Sequence, residues 1–235
     1  MIGAVYLIPT VLHEGRTECL PAYLLKAILQ CNVLYVENER TARRYLKALS
    51  KEIVIDDYEW VGMKEVSDET ANLFKQHIKE AKTIGIISEA GCPGVADPGQ
   101  KLIAVAQELR YPVRPLVGPN SILLALMASG MNGQAFQFVG YLPIDVAERA
   151  KALRGLEYES RQKACTQIFI ETPYRNNQLV ETLTKTCLPA TRLCIAVDLT
   201  ADTEAVQTKT IQQWKGTLPD IHKRLAIFLL YAGND

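Results

Sequence analysis

Residues 88–99 read Ser-Glu-Ala-Gly-Cys-Pro-Gly-Val-Ala-Asp-Pro-Gly, so three glycines, two prolines and Asp97 stand directly after the apolar run 83–87. Glycine accepts positive φ and lets a ligand approach the backbone, while each proline fixes its own φ and turns the residue before it away from the α region. A loop restricted in this way is rigid. It sits at the carboxyl end of a strand and ahead of the helical spacing Leu102, Ile103, Ala106, Leu109, which is where open α/β sheets hold ligands. A simpler reading of Asp97 is also open, in which it caps a helix that Pro98 begins and the glycines only turn the chain.

The ends of the other apolar runs carry Pro9-Thr10, Glu37-Asn38-Glu39-Arg40, Gly118-Pro119-Asn120-Ser121, Glu171-Thr172-Pro173-Tyr174-Arg175 and Asp198-Leu199-Thr200. Loops are polar as a rule. That rule explains less well why Glu37 and Glu171 each close an apolar run, where burying a carboxylate is costly without a partner. Glu37 and Arg40 are the candidates for positioning a substrate, Glu37 serving equally as a structural cap or pair. No residue pattern identifies a catalytic base.

Several chemistries are disfavoured. The chain has neither G-x-G-x-x-G after its first strand nor G-x-x-x-x-G-K-[ST], so the usual dinucleotide and triphosphate cradles are absent. Ser121 follows a Gly-Pro turn, but there is no G-x-S-x-G elbow and no histidine placed to activate it. His13, His77 and His222 lie far apart without metal-ligand spacing, so no metal site is expected. The six cysteines form no Cys-x-x-Cys pair and read as reduced core thiols, apart from Cys92, whose backbone matters more than its sulfur.

The elements that position these residues alternate. Runs 4–8, 33–37, 51–55, 83–88 and 113–116 read as short strands, with helical faces such as Tyr23, Leu24, Ala27, Ile28 and Leu73, Phe74, Ile78, Ala81 between them. Such alternation implies parallel strands joined by crossovers. After Ser121 a helix runs to Gly130, and runs 136–139, 167–171, 192–197, 204–207 and 225–231 read as further strands. The last of these are too close in sequence for helical crossovers, which implies antiparallel pairing. Residues 148–163 form a charge-rich, exposed helix. The fold class is therefore α/β, with two α/β domains, 1–117 and 118–235, a mostly parallel sheet in the first and a mixed sheet in the second.

The chain has 235 residues, 48% of them hydrophobic, enough for a real core. Lys plus Arg and Asp plus Glu are 26 each, so no global basic field recruits nucleic acid or an anionic membrane, and RNA binding would have to come from a local patch. The densest helical cluster is Arg40, Arg43, Arg44 and Lys47, which reads equally as a solvated face. The apolar start is too short to span a bilayer and has no basic region before it, which points to a cytoplasmic protein with no membrane partner. The residues taken alone lead to a two-lobed α/β protein that binds a small ligand without phosphates.

Residues 88–99, with Gly118-Pro119-Asn120-Ser121, Ala128-Ser129-Gly130 and Phe138-Val139-Gly140-Tyr141-Leu142-Pro143, resemble the tetrapyrrole-methylase superfamily of S-adenosylmethionine-dependent methyltransferases. Ile168-Phe169-Ile170-Glu171-Thr172-Pro173-Tyr174-Arg175 and Ala196-Val197-Asp198-Leu199-Thr200 are similar to its ribosomal RNA small subunit methyltransferase I branch. The resemblance implies a class III methyltransferase fold with S-adenosylmethionine in a cleft between the domains, usually as a homodimer. It also implies 2′-O-ribose methylation of 16S rRNA, with ribosomal RNA or the small subunit as partner. A tetrapyrrole or other small acceptor, or a cofactor-binding protein without catalysis, are the alternatives.

Carried over position by position, the resemblance assigns cofactor contacts to Pro9, Gly91, Cys92, Pro93, Val95, Asp97, Ser121, Ile122, Glu171, Thr172, Asp198, Leu199 and Ala226. The chain departs from the branch at residues 11–18, which lack its Gly-Asn-Leu motif. It departs again at Glu37-Asn38-Glu39-Arg40 and at Val197-Asp198-Leu199-Thr200-Ala201, where two basic groups of the branch are missing. Fewer cations there mean fewer phosphate contacts.

Overall fold

A computed structural model describes residues 3–233. The chain divides into two compact units, Met1–Asn120 and Ser121–Asp235.

The first unit holds strands β1 (Val5–Ile8), β2 (Val33–Val36), β3 (Glu59–Gly62), β4 (Ile84–Ile87) and β5 (Val113–Pro115), in the order β3-β2-β4-β1-β5, with every pairing parallel. Helices α1 (Leu24–Ile28), α2 (Glu39–Leu49), α3 (Asp68–Lys79) and α4 (Gln100–Glu108) join them. Period-two alternation sorts the strand residues to two cores. Tyr6, Ile8, Leu34 and Val36 pack with Leu24, Ile28, Tyr45 and Leu46, while Val5, Val33, Tyr35, Ile84 and Ile86 pack with Phe74, Ile78, Leu102 and Ala106. Strands covered on both faces read as unbroken apolar runs, which is why β2 and β4 were visible in sequence. The neighbours β1 and β4 send their connections in opposite directions along the sheet, and this opens a crevice outside their carboxyl ends.

One strand lies elsewhere than expected. Residues 51–55 form a turn leading into a 3-10 segment, Ile55–Asp57, and the edge strand is Glu59–Gly62. Ile53 and Ile55 are apolar because they plug the core beneath α2, whereas the half-exposed edge β3 shows little hydrophobic signal. The helix after the glycine-proline loop starts at Gln100 with Gly99 at its N-cap, so Pro98 lies outside it and Asp97 is not its cap.

The second unit holds β6 (Phe136–Tyr141), β7 (Thr166–Ile170), β8 (Arg192–Val197), β9 (Ala205–Thr210) and β10 (Ala226–Tyr231), in the order β6-β7-β10-β8-β9. β6 and β7 are parallel and the other pairs antiparallel, so the sheet is mixed as expected. Helices α5 (Ser121–Ser129), α6 (Val146–Lys163), α7 (Asn176–Thr186) and α8 (Ile211–Trp214) complete it. Gly130, just past α5, has φ +66°, the left-handed conformation that ends helices. α6 is charge-rich but not wholly exposed, since Arg149 and Glu157 are buried on its inner face beside Leu153 and Ser160.

Candidate active site

In the first unit the crevice is laced by hydrogen bonds between segments far apart in sequence. The Thr10 amide donates to the Gly91 carbonyl at 2.8 Å, and the Thr10 hydroxyl reaches the Ser88 carbonyl at 3.4 Å. From α2, the buried Tyr45 hydroxyl donates to the Pro9 carbonyl at 2.8 Å. Burial pushes this phenol up from its ordinary value, so it stays a neutral donor. Cys92 Sγ lies 3.6 Å and 3.4 Å from the carbonyls of Gly118 and Pro119. Burial raises its thiol, with an Asn120 hydrogen bond pulling the other way, and a protonated thiol is a poor nucleophile. Pro9, Gly91 and Cys92 are thus brought together around Gly118-Pro119.

Two glycines here are required by geometry. At Gly118 an added Cβ would lie 2.1 Å from Pro9 Cβ, so the two turns touch only because one lacks a side chain. Gly91 has φ +74°, and its Cβ would meet Leu12 and the Pro119 carbonyl at 3.2 Å. Further along, Asp97 closes the loop on itself, Oδ2 accepting from the Gly94 amide at 2.6 Å and Oδ1 from the Gly99 amide at 2.7 Å. Burial pushes the Asp97 carboxyl up, against the pull of the amides of Gly94, Gly99 and Val95, and burial wins.

Glu37 and Arg40 separate in role. Glu37 Oε2 accepts from the Glu89 amide at 3.0 Å and so orients the start of the loop. Arg40 is exposed at the start of α2, where the Asn38 carboxamide caps its amide at 3.0 Å. The α2 cations are partly spoken for. Arg43 pairs with Glu39 at 2.8 Å and lies 4.7 Å over the Trp60 ring, and Arg44 pairs with Glu14 at 3.4 Å, which leaves Arg40 and Lys47 without ion pairs among the described residues.

A cavity of about 230 Å³ opens beside this network, lined among others by Thr10, Thr41, Tyr45, Ser88 and Glu89. Thr41 donates to Glu89 Oε1 at 2.6 Å, while the buried Ser88 hydroxyl has no partner among the described residues. Buried hydroxyls without a partner are uncommon in folded proteins.

In the second unit, register gathers Glu171, Asp198 and Ala226. Ile170 faces Ile227 across β10, Ala226 faces Val197, and the Asp198 amide donates to the Leu225 carbonyl at 2.8 Å. Glu171 is buried; Oε1 takes the Thr172 amide at 2.6 Å and Arg175 Nη2 at 2.7 Å, and Oε2 has no donor among the described residues. Asp198 has φ +48° and is clamped by Arg224 Nη2 at 2.8 Å, the Thr203 hydroxyl at 2.9 Å and the Leu225 amide at 3.2 Å. Burial pushes its carboxyl up, but Arg224 leads a set of donors that carries it below its ordinary value. Leu199 is buried beside it, and Ser121 and Ile122 open α5, which packs on β10. Pro93 and Val95 lie on the loop between Cys92 and Asp97, Val95 being exposed.

Tyr45, Thr41 and Arg224 were not singled out from sequence. Their signal is tertiary, because each is defined by a partner remote in the chain. Among the described residues, no group of His, Cys, Asp and Glu is arranged to hold a metal, and no helix is long and apolar enough to cross a membrane.

No family model matches the chain. It is similar to proteins named ribosomal RNA small subunit methyltransferase I. The match to that of Micromonospora olivasterospora is 32% identical over 74% of this chain and 52% of the relative. For Halalkalibacterium halodurans the figures are 28%, 74% and 56%, and for Synechocystis sp. 35%, 60% and 47%. The chain spans about half the length of these relatives. Among solved structures, the methyltransferase CobJ matches with TM-score 0.63 and 16% identity over 97% of this chain and 94% of that one. Uroporphyrin-III C-methyl transferase from Thermus thermophilus, complexed with S-adenyl homocysteine, matches with TM-score 0.54 and 17% identity over 97% of each chain. The branch that the motifs resemble is the one the relatives' names carry, and the fold is shared with these two methyltransferase structures.

Proposed function

We propose that this chain is an S-adenosylmethionine-dependent methyltransferase acting on ribosomal RNA, with 2′-O-ribose methylation of 16S rRNA as its reaction and a homodimer as its working form. The observation that carries the reading is the lacing of Pro9-Thr10, Gly91-Cys92 and Gly118-Pro119 at the carboxyl ends of β1, β4 and β5. It forms a rigid backbone surface at the positions the motif resemblance assigns to the cofactor. Two further features fit such a ligand. A Cβ at Gly91 would fill the space beside the Pro119 carbonyl, and the buried Glu171 Oε2 lacks a donor that a ligand hydroxyl or amine supplies.

S-adenosylmethionine, when bound, supplies a methyl group activated by a sulfonium. The chain's own task is then orientation in line and exclusion of water. In this reading Pro9, Gly91, Cys92, Pro93, Val95, Asp97, Ser121, Ile122, Glu171, Thr172, Asp198, Leu199 and Ala226 are the cofactor residues, as the motif resemblance assigns them. Glu37 is a positioning residue, fixed to the Glu89 amide. The cavity walled by Thr10, Ser88 and Glu89 takes the acceptor, with the Ser88 hydroxyl as a free hydrogen-bonding group. Arg40 and Lys47 are the α2 cations left for phosphate.

One observation favours a second reading, a small acceptor such as a tetrapyrrole: half of the α2 cluster is neutralised by Glu39, Asp56 and Glu14. Purified protein with methyl-labelled S-adenosylmethionine is offered small ribosomal subunits and, separately, porphyrin precursors. Alkali-stable label in 16S rRNA is the expected result. Label in the tetrapyrrole alone selects the second reading, and cofactor binding by calorimetry without transfer to either selects a protein that has lost catalysis.

A further inference from the structure

The second unit holds four charged side chains against its sheet, three of them buried and Asp198 12% exposed, and three of the four are answered. Glu157 accepts from the Leu188 amide and the Thr191 hydroxyl, Glu171 pairs with Arg175, and Asp198 pairs with Arg224. The fourth is Arg149, in the second turn of α6 and 1% exposed. Its Nη2 donates to the Thr182 hydroxyl at 3.1 Å and its Nη1 to the Ile144 carbonyl at 3.4 Å, both neutral acceptors, while Nε has no partner. Among the described residues it makes no ion pair. A guanidinium carries five N–H donors, so these two bonds leave three, Nε–H among them. Taking such a cation out of water without an anion is costly.

Arg149 also lines a cavity of about 320 Å³, together with Val146, Gln178, Glu181, Thr182 and Lys185 among others. That volume is far more than a single water needs, a water's share of liquid being about 30 Å³. The wall from α6 is its first turns, where the helix dipole is positive. The Asp145 carboxylate already takes the Ala147 and Glu148 amides, which leaves Arg149 as the available donor on that side. Across the cavity, Lys185 is held among the described residues only by an exposed pair with Glu181 at 3.4 Å, an interaction readily exchanged for a stronger anion.

We propose that this cavity binds a phosphate group, with the free N–H donors of Arg149 as its principal contact and Lys185 as the second cation. Two cations against one weakly paired carboxylate suit an anion that can carry more than one charge, and a planar fork of N–H donors matches phosphate oxygens. The phosphate is either free or part of a polynucleotide backbone.

The test follows the arginine Nε–H resonances of the ¹⁵N-labelled full chain during titration with inorganic phosphate, with chloride at equal ionic strength as control. The Arg149 signal, assigned by its absence in Arg149→Lys, should shift saturably with phosphate and not with chloride. Arg149→Met should weaken binding about tenfold or more, as for loss of charge-assisted hydrogen bonds. Lys185→Ala should weaken it less. A short single-stranded RNA that displaces phosphate from the Arg149 signal identifies the backbone as the source. Phosphate binding that the RNA leaves untouched identifies a free phosphate. If neither probe moves the Arg149 Nε–H, or if Arg149→Met binds phosphate as the wild type does, the site does not exist. Should Arg149→Met fail to fold, the wild-type titration decides alone.

Discussion

The loops that follow β4 and β8 are held by different means. Residues 91–99 of the first unit are fixed by the backbone itself: Gly91 and Gly94 at positive φ, the backbone hydrogen bond between Thr10 and Gly91, and Asp97 closing on two amides. The loop after β8 in the second unit is fixed by charge, with Asp198 gripped by Arg224 while Asp198 and Thr200 stand at φ +48° and +74°. For a β-branched residue such as Thr200 that conformation is strained, and it persists only where its surroundings over-determine it. The two aspartates register the contrast. Burial outweighs the amides at Asp97, whereas a guanidinium with its fellow donors outweighs burial at Asp198. Peptide dipoles shape a loop; a full opposite charge is what brings its carboxylate below the ordinary range.

The contrast breaks most visibly at Gly118. Valine there places a branched side chain where even Cβ lies 2.1 Å from one Pro9 ring atom and 2.5 Å from another, and a proline ring has no other rotamer to adopt. Gly118→Val should cost about 3 kcal/mol or more in urea unfolding, as overpacking against a rigid neighbour does. A cost below about 1 kcal/mol would mean that the two turns are not locked together.

Arg224→Met tests the other loop. It removes the Asp198 ion pair and the bond from Nη2 to the Thr203 carbonyl at 2.7 Å. The expected loss is about 1.5–3 kcal/mol, the range for hydrogen bonds to charged groups. Added salt should reduce the wild-type advantage over this variant, because Arg224 is one-third exposed, and should leave the Gly118 effect unchanged. Equal salt responses would erase the distinction between the loops.

Gly91→Ala is milder. The left-handed conformation at φ +74° costs an L-residue about 1–2 kcal/mol. If this backbone faces the cofactor, calorimetric affinity for S-adenosylmethionine should fall by more than stability does. A loss of stability with unchanged affinity would make the glycine a turn residue only.

How much of this was legible in the sequence follows from the same contrast. The loop at 88–99 could be read because Gly and Pro restrict the backbone locally, and β2 and β4 because burial on both faces leaves an unbroken apolar run. The clamps could not. Arg224 lies 26 residues from Asp198, and Tyr45 lies 36 from Pro9, so nothing near either residue announces its partner. The sequence also misleads where residue type and environment disagree. Ile53 and Ile55 suggested a strand and are core plugs, while Arg149 and Glu157 suggested solvent and are buried.

Acid titration is the finest test, since it sets the two aspartates against each other with no steric change. Asp198 has its folded pKa lowered, so it contributes stability above the ordinary aspartate range, and that contribution is lost as pH falls through the folded value. Asp97 has its folded pKa raised, so the folded state holds that proton more tightly than the unfolded chain does. Its contribution is greatest at low pH and declines as pH rises through the ordinary value to the raised one. Stability should therefore be measured from about pH 3 to 6, spanning both sides of the carboxylate range, for the wild type, Asp198→Asn and Asp97→Asn. The advantage of the wild type over Asp198→Asn should grow with pH across this window, while its advantage over Asp97→Asn should shrink. The carboxamide introduced by Asp97→Asn keeps one acceptor oxygen for two amide donors, so that difference carries a pH-independent offset as well, and the sign of its slope is the diagnostic. Two advantages that both shrink with pH would mean that Arg224 does not distinguish the second loop from the first and that both carboxylates answer to burial alone, whereas two that both grow would mean that the amides outweigh burial at Asp97.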